Sequence, residues 1–265
     1  MKSSFQSDSD YEEFAHYIRH IGRHFLDHNQ LRFIDNVLAT SDSRAVTLPE
    51  GQVLWRAAIG YVAGDGVFPH DECFFDCIRP HPVERMKPRK ERATEGRINS
   101  KGIPCLYTAT DSETALTETR PWAGSVLTLS EVILLSDTRL IDCSIPTTFQ
   151  VGDDLTQQER EKNNWHVINR AFSEPVGRND DVADYAPTQF LGEAFRNAGY
   201  GGIIYASKLG AGKNVALFDI EVADIASTRL CWVKDVVVRF EEYGLATYVD
   251  KYKQQFGIVD DGTLF

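Results

Sequence analysis

Tyr11, Phe14, Ile18, Ile21 and Phe25 recur at spacings of three and four, the period of one apolar helix face. The stripe predicts helix over about residues 10–40. His16, His20, His24 and His28 fall at spacings of four on another face. Paired histidines at that spacing suit a metal, but no carboxylate or Cys partner accompanies them, so a polar helix face is the reading. Residues 40–50 read as a linker. Val53 to Ile59 is a strand-like run, and residues 60–101, rich in turn formers, read mostly as loop. Pro104 to Ala109 is a short strand. Thr110 with Glu113 forms a capping box for a helix through about Thr119, which Pro121 helps to end. Val126 to Leu135 is a strand, and Thr156 with Glu159 opens a polar helix carrying Trp165, Ile168 and Phe172. After an acidic loop over 173–184, Pro187 marks the start of a helix that ends before Gly199. Strands follow at Gly201 to Ala206, Asn214 to Ile220 and Val236 to Phe240. Helices and strands mix without a βαβ rhythm, which predicts an α+β fold, and no internal repeat is visible.

Composition narrows the function classes. The chain has 265 residues, 42% hydrophobic and 25% charged, a globular balance. No apolar run approaches the ~18 residues of a membrane span, and the N-terminus lacks a signal-peptide core. The expectation is a soluble cytoplasmic protein without a membrane partner. A net charge of -11 disfavours direct nucleic-acid binding. The five cysteines, Cys73, Cys77, Cys105, Cys143 and Cys231, are scattered and odd in number. They read as reduced thiols, with no metal site expected. One segment reverses the charge: Glu84 to Lys101 holds Arg85, Lys87, Arg89, Lys90, Arg92, Arg97 and Lys101 against Glu84, Glu91 and Glu95. Such a patch suits a small phosphorylated ligand, or is a solvated loop.

The candidate chemistry lies in a few side chains. Arg56 sits mid-strand among Val53, Leu54, Trp55 and Ile59. It is either an internal salt bridge or a bidentate clamp on a phosphate or ribose. Arg97 follows Gly96, whose lack of a Cβ lets a ligand approach the backbone. Tyr107 on the next strand packs in the core or stacks on a planar group. Glu118 is an exposed helix carboxylate, paired with Arg120, or a stabiliser of an oxocarbenium ion in N-glycosidic cleavage. Ser207 lacks a nucleophile elbow and a His base, so it reads as a hydrogen-bond partner for ribose or phosphate. The Gly210-Ala211-Gly212-Lys213 loop lacks Walker spacing and reads as a turn.

Taken in order, the WR at Arg56, the GR at Arg97 leading to LYTA, the ALTE of Glu118, and GGIIYAS with LGAGKNVALF resemble the RES domain family. The resemblance covers residues 52–220, and the Arg, Glu and Ser behind the family's name correspond to Arg56, Glu118 and Ser207. It implies an ADP-ribosyltransferase-like mixed β core with flanking helices, and destruction of NAD by a bacterial toxin held by an Xre-like antitoxin. On that basis residues 1–50 are an N-terminal helical extension and linker, and 51–265 the catalytic domain. NAD would be the substrate, no cofactor would be needed, and inorganic phosphate or water would accept the ADP-ribosyl group. Arg56 and Arg97 would hold the pyrophosphate or adjoining ribose, Tyr107 would pack near the nicotinamide, Glu118 would stabilise the developing cation, and Ser207 would hold a ribose hydroxyl or phosphate. The alternatives are transfer of ADP-ribose to a protein, a non-catalytic nucleotide-binding regulator, and a ribonuclease on the R-x4-H spacings of Arg19 with His24 and Arg23 with His28. A homodimer stays open. The chain departs from compact members in its N-terminal extension, in the long insert between Arg56 and Arg97, and in reading GRIN where a GRWN-like string is common.

Overall fold

The computed structural model describes residues 5–64, 78–90, 92–152, 154–174 and 182–241. Met1–Lys234 form one compact unit and Asp235–Phe265 a second. The N-terminal stripe makes two helices, α1 (Asp10–His20) and α2 (His28–Ser41), where one was expected. Tyr11, Phe14 and Ile18 are buried, whereas Ile21 and Phe25 are 67% and 87% exposed. The break follows from local chemistry: the Asp27 carboxylate accepts from the N–H groups of Asn29 and Gln30, which starts a new helix. The histidine stripe and both R-x4-H spacings are therefore divided by the break, and the ribonuclease reading loses its common face. Among the described residues no group of three or more His, Cys, Asp or Glu is placed to hold a metal, and Cys73 and Cys77 lie outside them.

The remaining elements run β1 (Ala45–Leu48), β2 (Val53–Ile59), β3 (Val62–Ala63), β4 (Ile78–Arg79), α3 (Val83–Met86), β5 (Leu106–Ala109), α4 (Ser112–Glu118), β6 (Val126–Leu134), β7 (Thr138–Asp142), α5 (Gln157–Ser173), α6 (Ala186–Asn197), β8 (Gly202–Ala206), β9 (Lys213–Leu217) and β10 (Ala223–Trp232). Eight strands form one sheet, ordered β1-β7-β8-β9-β5-β2-β6-β10, and β3 pairs with β4. Only β7 and β8 run parallel within the large sheet. The α+β class is as the sequence pattern predicts.

Side chains of α1, α2, α5 and α6 bury one face of the sheet in a cluster that includes Phe14, Phe33, Trp165, Phe172, Phe195 and Ile203. The N-terminal helices are thus part of the main core. The stretch expected as a linker supplies β1, whose Val46 pairs with Leu140 of β7. On the other face Leu54, Leu106, Val132, Leu140, Ile204 and Val215 share a cluster. The members come from neighbouring strands from β7 to β6, so the cluster runs as a continuous apolar layer across the sheet.

Two further expectations change. The strand expected at Val236–Phe240 is absent: these residues carry no regular secondary structure, and Val237 and Phe240 are 79% and 92% exposed. A strand not anticipated from the sequence, β10, pairs with β6 from Ala223↔Leu134 to Trp232↔Val126. The α4 cap is Asp111, one residue later than Thr110: its Oδ1 accepts from Thr114 N at 2.8 Å. The capping box at Thr156 and Glu159 forms as its spacing predicts.

One feature of the sheet places the site. β2 pairs with β6 along its whole length, from Val53↔Ile133 to Ile59↔Leu127. With β5 it shares one bridge, Trp55↔Ala109. Beyond that bridge the two strands diverge and leave a cleft in the middle of the sheet.

Candidate active site

The cleft between β2 and β5 has a cavity on each side, and both are lined by Arg56 and Tyr107. The first, of about 330 Å³, is walled by Trp55, Glu118, Thr119, Tyr205 and Asn214. The second, of about 370 Å³, is walled by the basic loop through Arg85, Lys87, Arg89 and Arg92. Both fall at the small end of the ~300–1,000 Å³ typical of ligand pockets.

Glu118 is the last residue of α4 and is half-buried. Its Oε1 accepts from Ser207 Oγ at 2.6 Å and from Asn214 Nδ2 at 2.7 Å. Both donors are neutral and Arg120 is not among them, so the reading of Glu118 as a salt-bridged surface carboxylate does not hold. Oε2 has no hydrogen bond among the described residues. The carboxylate is oriented on one oxygen and uncommitted on the other.

Ser207 differs from its expected role. Its Oγ donates its single proton to Glu118 and accepts from the N–H groups of Leu209 at 3.1 Å and Gly210 at 2.9 Å. No donor is left for a ribose or phosphate, so in this arrangement Ser207 positions Glu118. The glycines of its loop serve the same end: Gly212 N donates to Thr114 Oγ1, and a Cβ on Gly210 would meet Thr114 at 2.6 Å. The loop is a turn between β8 and β9 seated on the α4 N-terminus, as its lack of Walker spacing predicts.

Arg56 has no carboxylate partner among the described residues. Its Nη1 donates to the Tyr107 carbonyl at 2.7 Å, and its buried Nε has no partner among the described residues. Burial pulls the guanidinium below its ordinary pKa, and the groups that oppose this are the Cys105 thiol and the Tyr107 phenol. Burial holds both of those in the neutral state, with Cys105 pushed up to about 12. Of the two readings of Arg56, the internal salt bridge finds no carboxylate among the described residues. A half-buried cation with no counter-charge among the described residues, opening on two cavities, is a place for an anion.

Tyr107 lines both cavities with its ring, but its hydroxyl is committed. It donates to Asn99 Oδ1 at 2.7 Å and accepts from Ile98 N at 2.9 Å. A Cβ on Gly96 would stand 2.6 Å from that hydroxyl, so the glycine serves this contact. Arg97 turns away from the cleft. Its Nη1 donates to the carbonyls of Ala171 and Phe172 near the end of α5, at 3.3 and 2.7 Å, and its guanidinium lies 5.9 Å from the Tyr185 ring centroid. Arg97 lines neither cavity, so the structure brings together Arg56, Tyr107, Glu118 and Ser207 and leaves Arg97 apart.

Two residues of the site were not singled out from the sequence. Asn214, 8% exposed, holds Glu118, and Tyr205, 7% exposed and paired with Asn214 across β8 and β9, closes the cavity floor. Burial raises the Tyr205 pKa. The available signal was Asn214 itself, an amide side chain in the apolar run Val215-Ala216-Leu217, on the face of the sheet that Tyr205 shares.

With this geometry in place, the comparisons identify the class. The model of the RES domain matches residues 77–233, more than half of the chain, and the chain belongs to that family. The match includes Glu118, Ser207 and Asn214, and Arg56 precedes it. No curated protein matches. Among solved structures, the crystal structure of the M. tuberculosis MbcT–MbcA toxin–antitoxin complex is similar over 74% of this chain and 92% of that one, at 15% identity and a TM-score of 0.40.

Proposed function

We propose that this chain cleaves the nicotinamide–ribose bond of NAD, with phosphate or water as acceptor, as the toxin of a toxin–antitoxin pair. The observation that carries the reading is the pairing, in one cavity, of an oriented carboxylate with a half-buried guanidinium that has no counter-charge among the described residues. The guanidinium takes the dinucleotide's diphosphate. The carboxylate faces the anomeric carbon, where positive charge develops. As the C1′–N bond breaks, its electron pair leaves with nicotinamide and neutralises the pyridinium. Glu118 Oε2, with no hydrogen bond among the described residues, is worth most when that charge is largest, which is the condition for lowering the barrier. An oxygen of water or phosphate then bonds to C1′, and water releases one proton.

Ser207 and Asn214 fix where the carboxylate stands before substrate arrives, so no reorganisation is needed during the reaction. Tyr205 and Trp55 supply ring faces for the nicotinamide end. Membership of the RES family supports the assignment, and an Xre-like antitoxin is the partner it implies. The test is incubation of the purified chain with NAD, with and without phosphate, and identification of products by mass. Nicotinamide with ADP-ribose 1″-phosphate marks phosphorolysis; nicotinamide with free ADP-ribose marks hydrolysis. A preparation that releases no nicotinamide under either condition sinks the reading.

A further inference from the structure

The second cavity has more positive charge than the reaction above uses. Among the described residues its lining holds five cationic side chains, Arg56, Arg85, Lys87, Arg89 and Arg92, against one acid, Glu95. Lys87 is partly spent, since its Nζ donates to the Ala223 carbonyl at 2.9 Å and lies 3.7 Å from Asp224. Arg85, Arg89 and Arg92 have no carboxylate partner among the described residues. The loop that bears them is tethered. Met86 and Ala93 are 0% and 7% exposed, Gly102 N donates to the Ala93 carbonyl, and Asn99 Nδ2 donates to the Thr94 carbonyl. In a chain of net charge -11, a fixed basic cavity opposes the general field and selects for a local anion.

The position of Arg56 says which anion. Arg56 borders both cavities. A dinucleotide with its diphosphate on Arg56 and its nicotinamide end beside Glu118 extends its adenosine end into the basic cavity. The diphosphate carries two negative charges, and a ribose phosphomonoester adds about 1.5–2 more. Guanidinium forks match such a group bidentately. We propose that this cavity binds a phosphomonoester on the adenosine ribose, so that the preferred substrate is the 2′-phosphorylated nicotinamide dinucleotide, NADP. The inference rests on the Glu118 reading for the direction in which the dinucleotide lies.

The test uses the full chain and its Arg89→Ala/Arg92→Ala variant in phosphate-free buffer. Both side chains are exposed, so the core is left intact. Calorimetry compares 2′-phospho-ADP-ribose with ADP-ribose, and a parallel assay compares nicotinamide release from NADP and NAD. The parent should bind the phosphorylated ligand at least ~10-fold more tightly, and the double variant should narrow that ratio to about twofold. The kcat/KM ratio for NADP over NAD should fall in step. Equal affinities in the parent, binding of neither ligand, or a preference that survives in the double variant would overturn the proposal. Inorganic phosphate, titrated alone, separates the other source of the same chemistry: phosphate binding lost in the variant, without any 2′-phospho preference, assigns the cavity to free phosphate and also overturns it. A parent that prefers the 2′-phosphorylated ligand yet cleaves neither dinucleotide supports the cavity and sinks the Glu118 reading alone.

Discussion

Ser207 donates its one hydroxyl proton to Glu118 across 2.6 Å while two backbone N–H groups hold its oxygen from the other side. The serine is saturated, and the carboxylate it orients is not. Under the proposed reaction, this asymmetry separates the residue that would act on substrate from the residue that would aim it.

Glu118→Gln keeps the shape of the side chain and removes its charge. Nicotinamide release should fall at least ~100-fold, by comparison with single stabilising groups elsewhere. KM should change far less than kcat. A variant that releases nicotinamide at the parental rate would sink the catalytic assignment.

Ser207→Ala and Asn214→Ala each remove one of the two bonds to Glu118 Oε1. A hydrogen bond to a charged group contributes roughly 1.5–3 kcal/mol, so each should lower kcat by about 10- to 100-fold. Because both act on one carboxylate, the double variant should lose less than the product of the single losses. Strictly multiplicative losses, measured by single-turnover kinetics, would mean independent contacts with substrate.

Arg56→Met replaces a half-buried guanidinium that no carboxylate among the described residues offsets. The folded chain loses an unpaired charge, so the variant should melt at or above the parental temperature in calorimetry. Dinucleotide affinity should collapse. A melting point several degrees lower would show that the guanidinium serves the fold.

Asp111 caps α4, and its carboxyl is held below the usual carboxylate range, first by the Thr114 N–H donor. A lowered value means that the ionised form is the one the fold favours. Its stabilisation is complete above the ordinary value near 3.8 and is lost as pH falls through the lower folded value. Asp111→Ala should cost about 1 kcal/mol at pH 6, and the difference from parent should shrink as pH drops below about 3.8. Urea midpoints at the two pH values measure this, and a gap that stays constant refutes it.

The contiguous part of the site was legible before the structure. β5, α4 and Glu118 follow one another closely, so strand period and helix capping were enough to bring them together. The N-terminal stripe was read correctly through Ile18 and wrongly beyond it, because Asp27 offers a competing helix start that apolar periodicity ignores. Arg97 shows a different limit. Its partners are carbonyls at the end of α5, 74 and 75 residues away, and backbone oxygens have no signature in a sequence. Ser207 does lie beside Glu118, but its hydrogen bonding depends on the N–H groups that the following turn presents. β10 was missed because its alternating A-D-I-A-S-T-R-L-C-W is only partly apolar; pairing with β6 makes it a strand.

The single Trp55–Ala109 bridge also has a mechanical side. The sheet amounts to two plates, one of β1, β7, β8, β9 and β5 and the other of β2, β6 and β10, each with its own ladder. The rung at Trp55 and the Arg56 bond to the Tyr107 carbonyl cross the seam. A force parting the plates meets little backbone resistance there, while α4, which carries Glu118 and packs Ala115 with Leu129 and Ala109 from both sides, acts as the clasp. The carboxylate thus rides on the element that holds the seam closed, and its aim is set by the same packing that keeps the two plates in register.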